Sequence, residues 1–476
     1  MNINLRSILA NLSFVVMSNF ISLFISSITI LFIPKIIGIE EYGYWQLYTF
    51  YIGYVGFFHL GWPDGIYLKF GGKNFHELNK KYFTNQLIAY NLYLFIVSIL
   101  IILWSQFINI SNDKSFIFVM VAINIVLMNL RTFFIWILQS TNKIKEASTI
   151  TIFDRLVYLF ILCIFLLFKI YDYKFMIFID ILGKLVGVFL GIWQCRTILS
   201  WKNLEFKPNI REYYDNIRIG INLMLSNVAS LLIIGVIRLG IEREWDIATF
   251  GKVSLTLSIS NLLMLFINAI GIVVFPIIKK SDEQKLPLIY KTIRSNLMIF
   301  MFLILMGYYP LRIILNNWLP AYEESLIYMV IIFPMAIFEG KMALLINTYM
   351  KALRMERLIF RVNIVVLLIS VLSTILTAAV LHNLELTIAS IVVLLGLRSI
   401  IAEHILSKRL SIEVKGDTLI EALLTFTFII SGWYLSIPYA LTTYLITYII
   451  YISLNWKSCK FILSFMKNSN KGKTDG

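Results

Sequence analysis

A few ionisable side chains lie inside long hydrophobic stretches of this chain: Arg131, Asp154, Asp180, Lys184, Glu339, Lys341 and Arg398. A charge held within hydrocarbon is costly, so such residues usually face a cavity or a partner. Asp180 and Lys184, four apart, can form an ion pair on one helix. Arg131 and Arg398 have no opposite charge one turn away on their own helices, which points them toward a polar cavity. Asn124, seven residues before Arg131, shares its face. A guanidinium stays charged and can take two phosphate oxygens at once, so two such arginines suit a polyanion such as pyrophosphate. Lys184 and Lys341 would add point charge. Asp64, Asp154, Asp180 and Glu339 are candidates to bind a coupling H⁺ or Na⁺, or to form an ion pair that changes with conformation. Asn19 and Ser22 on the first hydrophobic stretch match Asn222 and Ser226 on the seventh in kind. They read equally as close helix packing through small residues or as the polar wall of a pathway.

The elements that must position these groups are membrane helices. The chain is 59% hydrophobic and 14% charged, against about 25% charged residues in an ordinary soluble domain. Apolar runs of 18 or more residues recur throughout, each long enough to cross about 30 Å of hydrocarbon as a helix. The pattern predicts fourteen spans: 8–33, 43–66, 85–108, 115–139, 150–168, 175–197, 217–239, 248–275, 292–314, 325–349, 359–381, 386–407, 418–436 and 439–456. The net charge of +15 would suggest nucleic acid in a soluble protein. Here the basic residues gather in every second loop, as with Lys69, Lys73, Lys80 and Lys81, or Lys279, Lys280, Lys285, Lys291 and Arg294. That is the positive-inside rule with both termini cytoplasmic, so no nucleic-acid partner is expected. The first span has no small-residue cleavage site after it and is expected to be retained.

The segment MSNFISLFI at 17–25 matches LSNVASLLI at 225–233, an offset of 208 that also pairs Gly43 with Gly251. Six spans separate the copies, so both halves have the same orientation and are related by an axis along the membrane normal. The expected fold is all-α: two pseudo-symmetric six-helix lobes, 1–200 and 217–410, joined by a cytoplasmic linker at 201–216. An appended transmembrane pair at 411–458 and a cytoplasmic tail at 459–476 follow. The stretch HLGWPDGIYLKFGGKNFHELNKKY at 59–82 reads as the inner end of span two and its loop. Trp62 suits the interface, Pro63 and the glycines let the chain turn, and the lysines hold the loop inside. Asp64 is the residue this reading leaves over.

The sequence lacks a GxxxxGK[ST] loop, an HExxH helix and any paired-cysteine metal site, and Cys163, Cys195 and Cys459 are scattered. No metal or cofactor is expected. No outer loop is longer than about 16 residues by this span assignment, which argues against an enzyme.

The fourteen spans, the two six-helix halves, the Glu41-Tyr42-Gly43-Tyr44-Trp45 start of span two and LGWPDGIYLKFGGKNFHEL at 60–78 resemble the polysaccharide-transporter family. These are the O-antigen and capsule repeat-unit flippases of the multidrug/oligosaccharidyl-lipid/polysaccharide exporter superfamily. The resemblance covers residues 1–410 or so. It implies two lobes around a cationic central cavity that opens alternately to each side of a bacterial cytoplasmic membrane. It also implies an undecaprenyl-pyrophosphate-linked oligosaccharide as substrate, with membrane lipids, a polysaccharide polymerase and a chain-length regulator as partners. Two other readings stay open: a cation-coupled exporter of small molecules from the same superfamily, and a membrane glycan polymerase or ligase.

Overall fold

The structure is a computed structural model that describes residues 5–108, 110–199, 208–280 and 283–454, and the side chains of 13–108, 110–199, 208–264 and 284–454. The tail 459–476, linker residues 201–207 and Cys459 lie outside the described residues. Among the described residues the regular structure is helical, with no strand. Hydrocarbon offers backbone groups no partner except those of their own helix.

Among the described residues twelve helices are long and apolar enough to cross a membrane, and each falls on one of the fourteen expected spans. The two exceptions have different causes. Span thirteen is a continuous helix, Lys415–Tyr434, whose 20 residues include Lys415, Asp417 and Glu421. Span two is broken into Ile39–Ile52, a 3₁₀ turn at Val55–His59 and Trp62–Phe70. Leu60 and Gly61 both take left-handed backbone angles at the second break, with φ of 52° and 74°. Pro63 then falls in the first turn of the next helix, where its missing N–H costs nothing.

The chain divides into two compact units: residues Met1–Val228 with Ile247–Gly251, and Ala229–Asp246 with Lys252–Gly476. The division falls within the helix Ile210–Glu244 of span seven rather than in the linker, whose residues 210–216 form that helix's first turns.

In the first unit, span six (Tyr173–Cys195) packs on spans four (Asn112–Ser140) and five (Ile144–Leu167). Gly183, Gly187 and Gly191, spaced by four, form the contact stripe. A Cβ at Gly183 would meet the Asp154 carbonyl oxygen at 2.8 Å, and one at Gly191 the Phe134 side chain at 2.7 Å. Small residues at this spacing let helix backbones approach closely where lipid supplies no hydrophobic drive. The N-terminal part of the span-seven helix, around Asn216 and Gly220, docks on the break in span two in the same way. A Cβ on Gly65 or Gly220 would run into the backbone of Asn216 or Gly61.

In the second unit, span ten lies at the centre and is the most enclosed of the candidate spans. Its helix is interrupted at Phe333-Pro334 and passes through a π-helical turn, Lys341–Ile346, before ending at Ala352.

Trp62 does not sit at an interface. It is buried, and its indole N–H donates to Gln86 Oε1 at 2.7 Å. Arg294 is likewise no loop charge: it is a fully buried side chain on the span-nine helix Leu286–Leu305.

Candidate functional site

The ionisable residues inside the spans are gathered by the fold into separate clusters, each held within one unit. In the first unit, span six turns its glycine stripe toward spans four and five. A Cβ at Gly187 would meet Arg131 Cδ and Nε at 3.2 Å, so the glycine makes room for the guanidinium. Arg131 Nε then lies 2.9 Å from Asp154 Oδ2 on span five. The missing partner of Arg131 therefore comes from a neighbouring helix. Its side chain keeps 15% of its exposure, more than that of Asp154 or Lys184.

On the same helix Asp180 and Lys184 form the expected i,i+4 ion pair, at 2.5 Å. Two residues from other helices complete it. Tyr48 Oη donates to Asp180 Oδ2 at 2.6 Å, and Asn124 Nδ2 donates to Tyr48 Oη at 3.0 Å. Asn124 thus joins the Asp180 pair through Tyr48, a residue that the pattern of charges did not mark. Charged and neutral donors on one carboxylate make a rigid, mostly satisfied site.

Asn19 and Asn222 are exposed, while Ser22 and Ser226 are half-buried, and none of the four joins either ion pair. Ser18 is buried. Asp64 is remote in sequence from these pairs, buried at the start of Trp62–Phe70 with His59 Nδ1 3.5 Å from its Oδ2.

In the second unit, Arg398 on span twelve meets Glu339 on span ten, Nη1 to Oε1 at 2.7 Å, and its Nε donates to Asn363 Oδ1 at 2.9 Å. The arginine is 3% exposed and the glutamate 23%. One face of this pair is therefore open through the carboxylate.

Lys341, two residues after Glu339, is in a different cluster. Its Nζ lies 2.5 Å from Glu403 Oε2 and 2.9 Å from Glu421 Oε2. Arg294 bridges the same two acids, with Nε 2.8 Å from Glu403 Oε1 and a terminal nitrogen 2.8 Å from Glu421 Oε1. Tyr290 Oη also donates to Glu403, at 2.8 Å. All four charged side chains are at most 4% exposed. Two cations and two anions from spans nine, ten, twelve and thirteen close on one another, leaving Lys341 with no open face here. Arg294 and Glu421 were missed in the sequence. Arg294 reads as part of a basic loop, and Glu421, near the start of span thirteen, reads as one of its flanking charges.

Long apolar helices in two units, with ion pairs buried inside each, define a polytopic membrane protein. The family described as "Polysaccharide biosynthesis protein" matches residues 8–282, and the chain belongs to that family. Among solved structures, a lipid II flippase MurJ in an inward closed conformation is similar over 95% of this chain and 99% of its own, with a TM-score of 0.62 and 12% identity. A multidrug resistance MATE transporter of the MOP superfamily, inward-facing, is similar over 83% of this chain and 98% of its own, with a TM-score of 0.61 and 10% identity. The crystal structure of a MATE point mutant follows with a TM-score of 0.53, at 12% identity over 85% of this chain and 94% of its own. At these identities the likeness is one of fold. No curated protein sequence matches the chain. The family is one of polysaccharide biosynthesis and the fold neighbours are a lipid flippase and drug transporters, in keeping with a multi-pass membrane protein.

Proposed function

We propose that this protein is a flippase that carries an undecaprenyl-pyrophosphate-linked oligosaccharide repeat unit from the cytoplasmic to the outer leaflet of a bacterial cytoplasmic membrane. The product would feed synthesis of a surface polysaccharide such as O-antigen, capsule or exopolysaccharide. The observation that carries the reading is membership of a polysaccharide-biosynthesis family by a chain with the fold of lipid and drug transporters. A multi-pass transporter in that family needs a cargo that is made on one face and used on the other, and a lipid-linked sugar meets that need.

The side chains support it through charge. Arg131–Asp154 and Arg398–Glu339, one in each unit, are ion pairs inside the spans that keep a partly accessible member, Arg131 at 15% and Glu339 at 23%. Arg131 meets its carboxylate through Nε and Arg398 through Nη1, and a pyrophosphate oxygen can take over either contact. Exchanging one anion for another avoids stranding an unpaired charge in a low-dielectric site, which is the main cost of moving a phosphate through a membrane. The sugar head group travels in the polar pathway while the prenyl chain stays in lipid, and switching of the two units gives alternating access. Lys184, with Asn124 beside it, stands behind Arg131, and Asn19, Ser22, Asn222 and Ser226 offer hydroxyls and amides for sugar. Asp154, Asp180 and Glu339 release or recapture their cations as the substrate passes, with H⁺ or Na⁺ as the coupling ion. Lys341 acts in this scheme only if its cluster opens. A polymerase and a chain-length regulator would work downstream.

The test is translocation of a labelled undecaprenyl-pyrophosphate oligosaccharide in proteoliposomes. Transport that falls in Arg131→Ala and Arg398→Ala, at equal insertion, supports the reading. Lengthening or transfer of the glycan without translocation would replace it with an enzyme. Efflux of small cationic compounds in its place would favour a drug exporter.

A further inference from the structure

The residue left over in the sequence, Asp64, sits in a setting that the ion pairs do not share. It is 3% exposed in the first turn of Trp62–Phe70, and its Oδ2 has no hydrogen-bond donor among the described residues. Its titratable neighbour is His59, whose Nδ1 lies 3.5 Å away. That nitrogen already accepts a hydrogen bond from the Gly61 backbone N–H at 2.8 Å. A ring nitrogen that accepts carries a lone pair and no proton, so His59 cannot be the donor that Asp64 lacks. Among the described residues no Lys or Arg pairs with Asp64.

Four other elements pack around the short helix that carries this carboxyl. The 3₁₀ turn brings His59. The helix Lys80–Phe107 brings Gln86 and Tyr90, both fully buried, whose Nε2 and Oη also have no partner among the described residues. Gln86 is fixed in orientation, because its Oε1 accepts from Trp62 Nε1 at 2.7 Å and from Asn216 Nδ2 at 3.0 Å. The helix Ile210–Glu244 brings Gly220 against the Asp64 Cβ, together with Asn216 and Tyr213. Span four meets the same short helix through Trp136 on Tyr67.

An ionised Oδ2 here would be a buried anion facing a lone pair, with its potential donors turned elsewhere. Buried polar atoms are almost always satisfied, and an unpaired buried charge is removed by taking up a proton. The positive end of the short helix favours the anion, but this effect is weak beside the loss of every side-chain donor.

We infer that Asp64 binds an exchangeable proton, held as a neutral carboxylic acid beside His59, and that its release rearranges the break in span two. Proton and base balance simply: the carboxylate takes H⁺ from water and returns it. When the proton leaves, the new anion repels the His59 lone pair and needs donors. Either His59 takes a proton at Nδ1 and gives up the Gly61 N–H, or Asp64 turns toward Gln86 Nε2 and Tyr90 Oη. The first route loosens the left-handed Leu60-Gly61 turn, and the second moves the start of Trp62–Phe70 against Gly220. Its use as the coupling ion rests on the flippase reading; the proton itself does not.

Infrared difference spectra of the full chain in lipid nanodiscs, taken through a pH titration, test this without substrate. The wild type is expected to show a protonated-carboxyl C=O band at neutral pH that disappears on raising the pH and is missing from Asp64→Asn. Hydrogen exchange of residues 53–61 is expected to speed up over the same pH range in wild type alone. Identical neutral-pH spectra for wild type and Asp64→Asn would overturn the proposal. If Asp64→Asn fails to fold, His59→Gln decides: a shifted carboxyl band sustains the site, and an unshifted one removes it. A band present without translocation would sink the flippase reading and keep the proton, and the converse outcome would do the reverse.

Discussion

Arg398 and Glu339 face each other across spans twelve and ten at 2.7 Å, while Asn363 accepts from the remaining guanidinium edge. The arginine is 3% exposed and the glutamate 23%, so on the proposed flippase reading the glutamate is the group a competing anion would displace.

That relationship predicts a graded series. Arg398→Ala should lower the initial rate of lipid-oligosaccharide translocation by about tenfold or more, the scale of losing one partner of a buried hydrogen-bonded charge pair. Arg398→Lys should fall between, since an ammonium keeps the charge but not the fork. The exchanged pair Glu339→Arg with Arg398→Glu should recover thermal stability without recovering transport. Equal transport by all variants would remove the pair from the pathway.

The Arg294, Lys341, Glu403 and Glu421 cluster predicts stability rather than rate. Glu421→Gln leaves the two buried cations with Glu403 as their shared buried acid and only the half-exposed Asp417 beside Arg294, and should cost ~3–5 kcal/mol, the usual result of stripping one partner from a buried ion network. Adding Lys341→Met should return most of the loss, because the surplus cation goes with it. Thermal unfolding in detergent, read by intrinsic fluorescence, measures both.

Close backbone contact predicts a steric penalty. Gly65→Ala drives a methyl group into the backbone of Asn216 and should destabilise by ~1–3 kcal/mol, the range for overpacking. Gly56→Ala, in the same broken span, meets nothing within 4 Å and should be close to neutral.

Orientation is tested with single cysteines in a chain cleared of Cys163, Cys195 and Cys459. His76→Cys, in the loop after span two, should be protected from a membrane-impermeant thiol reagent in intact cells. Glu324→Cys, whose parent side chain is 92% exposed, should label. The reverse pattern would invert the proposed topology.

The membrane class and twelve of the helices were legible because length and apolarity decide them one segment at a time. The two glycines that the sequence paired at an offset of 208 also lie against each other: a Cβ on Gly251 would meet the Cα of Gly43 at 2.7 Å. Partners from other helices were not legible. Arg131 and Arg398 look unpaired within their own helices, yet Asp154 and Glu339 reach them from neighbours. Trp62 carries the composition of an interfacial ring, but its N–H is matched by Gln86, 24 residues away. Nothing local distinguishes a tryptophan with an internal acceptor from one that faces lipid head groups.

Glu421 gives the appended pair of spans an ancestry that can be checked. This chain cannot shed span thirteen by simple truncation, because Arg294 and Lys341 would be left in the second unit with Glu403 as their only buried acid among the described residues. Relatives that stop after twelve spans should therefore carry a neutral residue at one of those two positions, and the order of loss should be cation first, helix second.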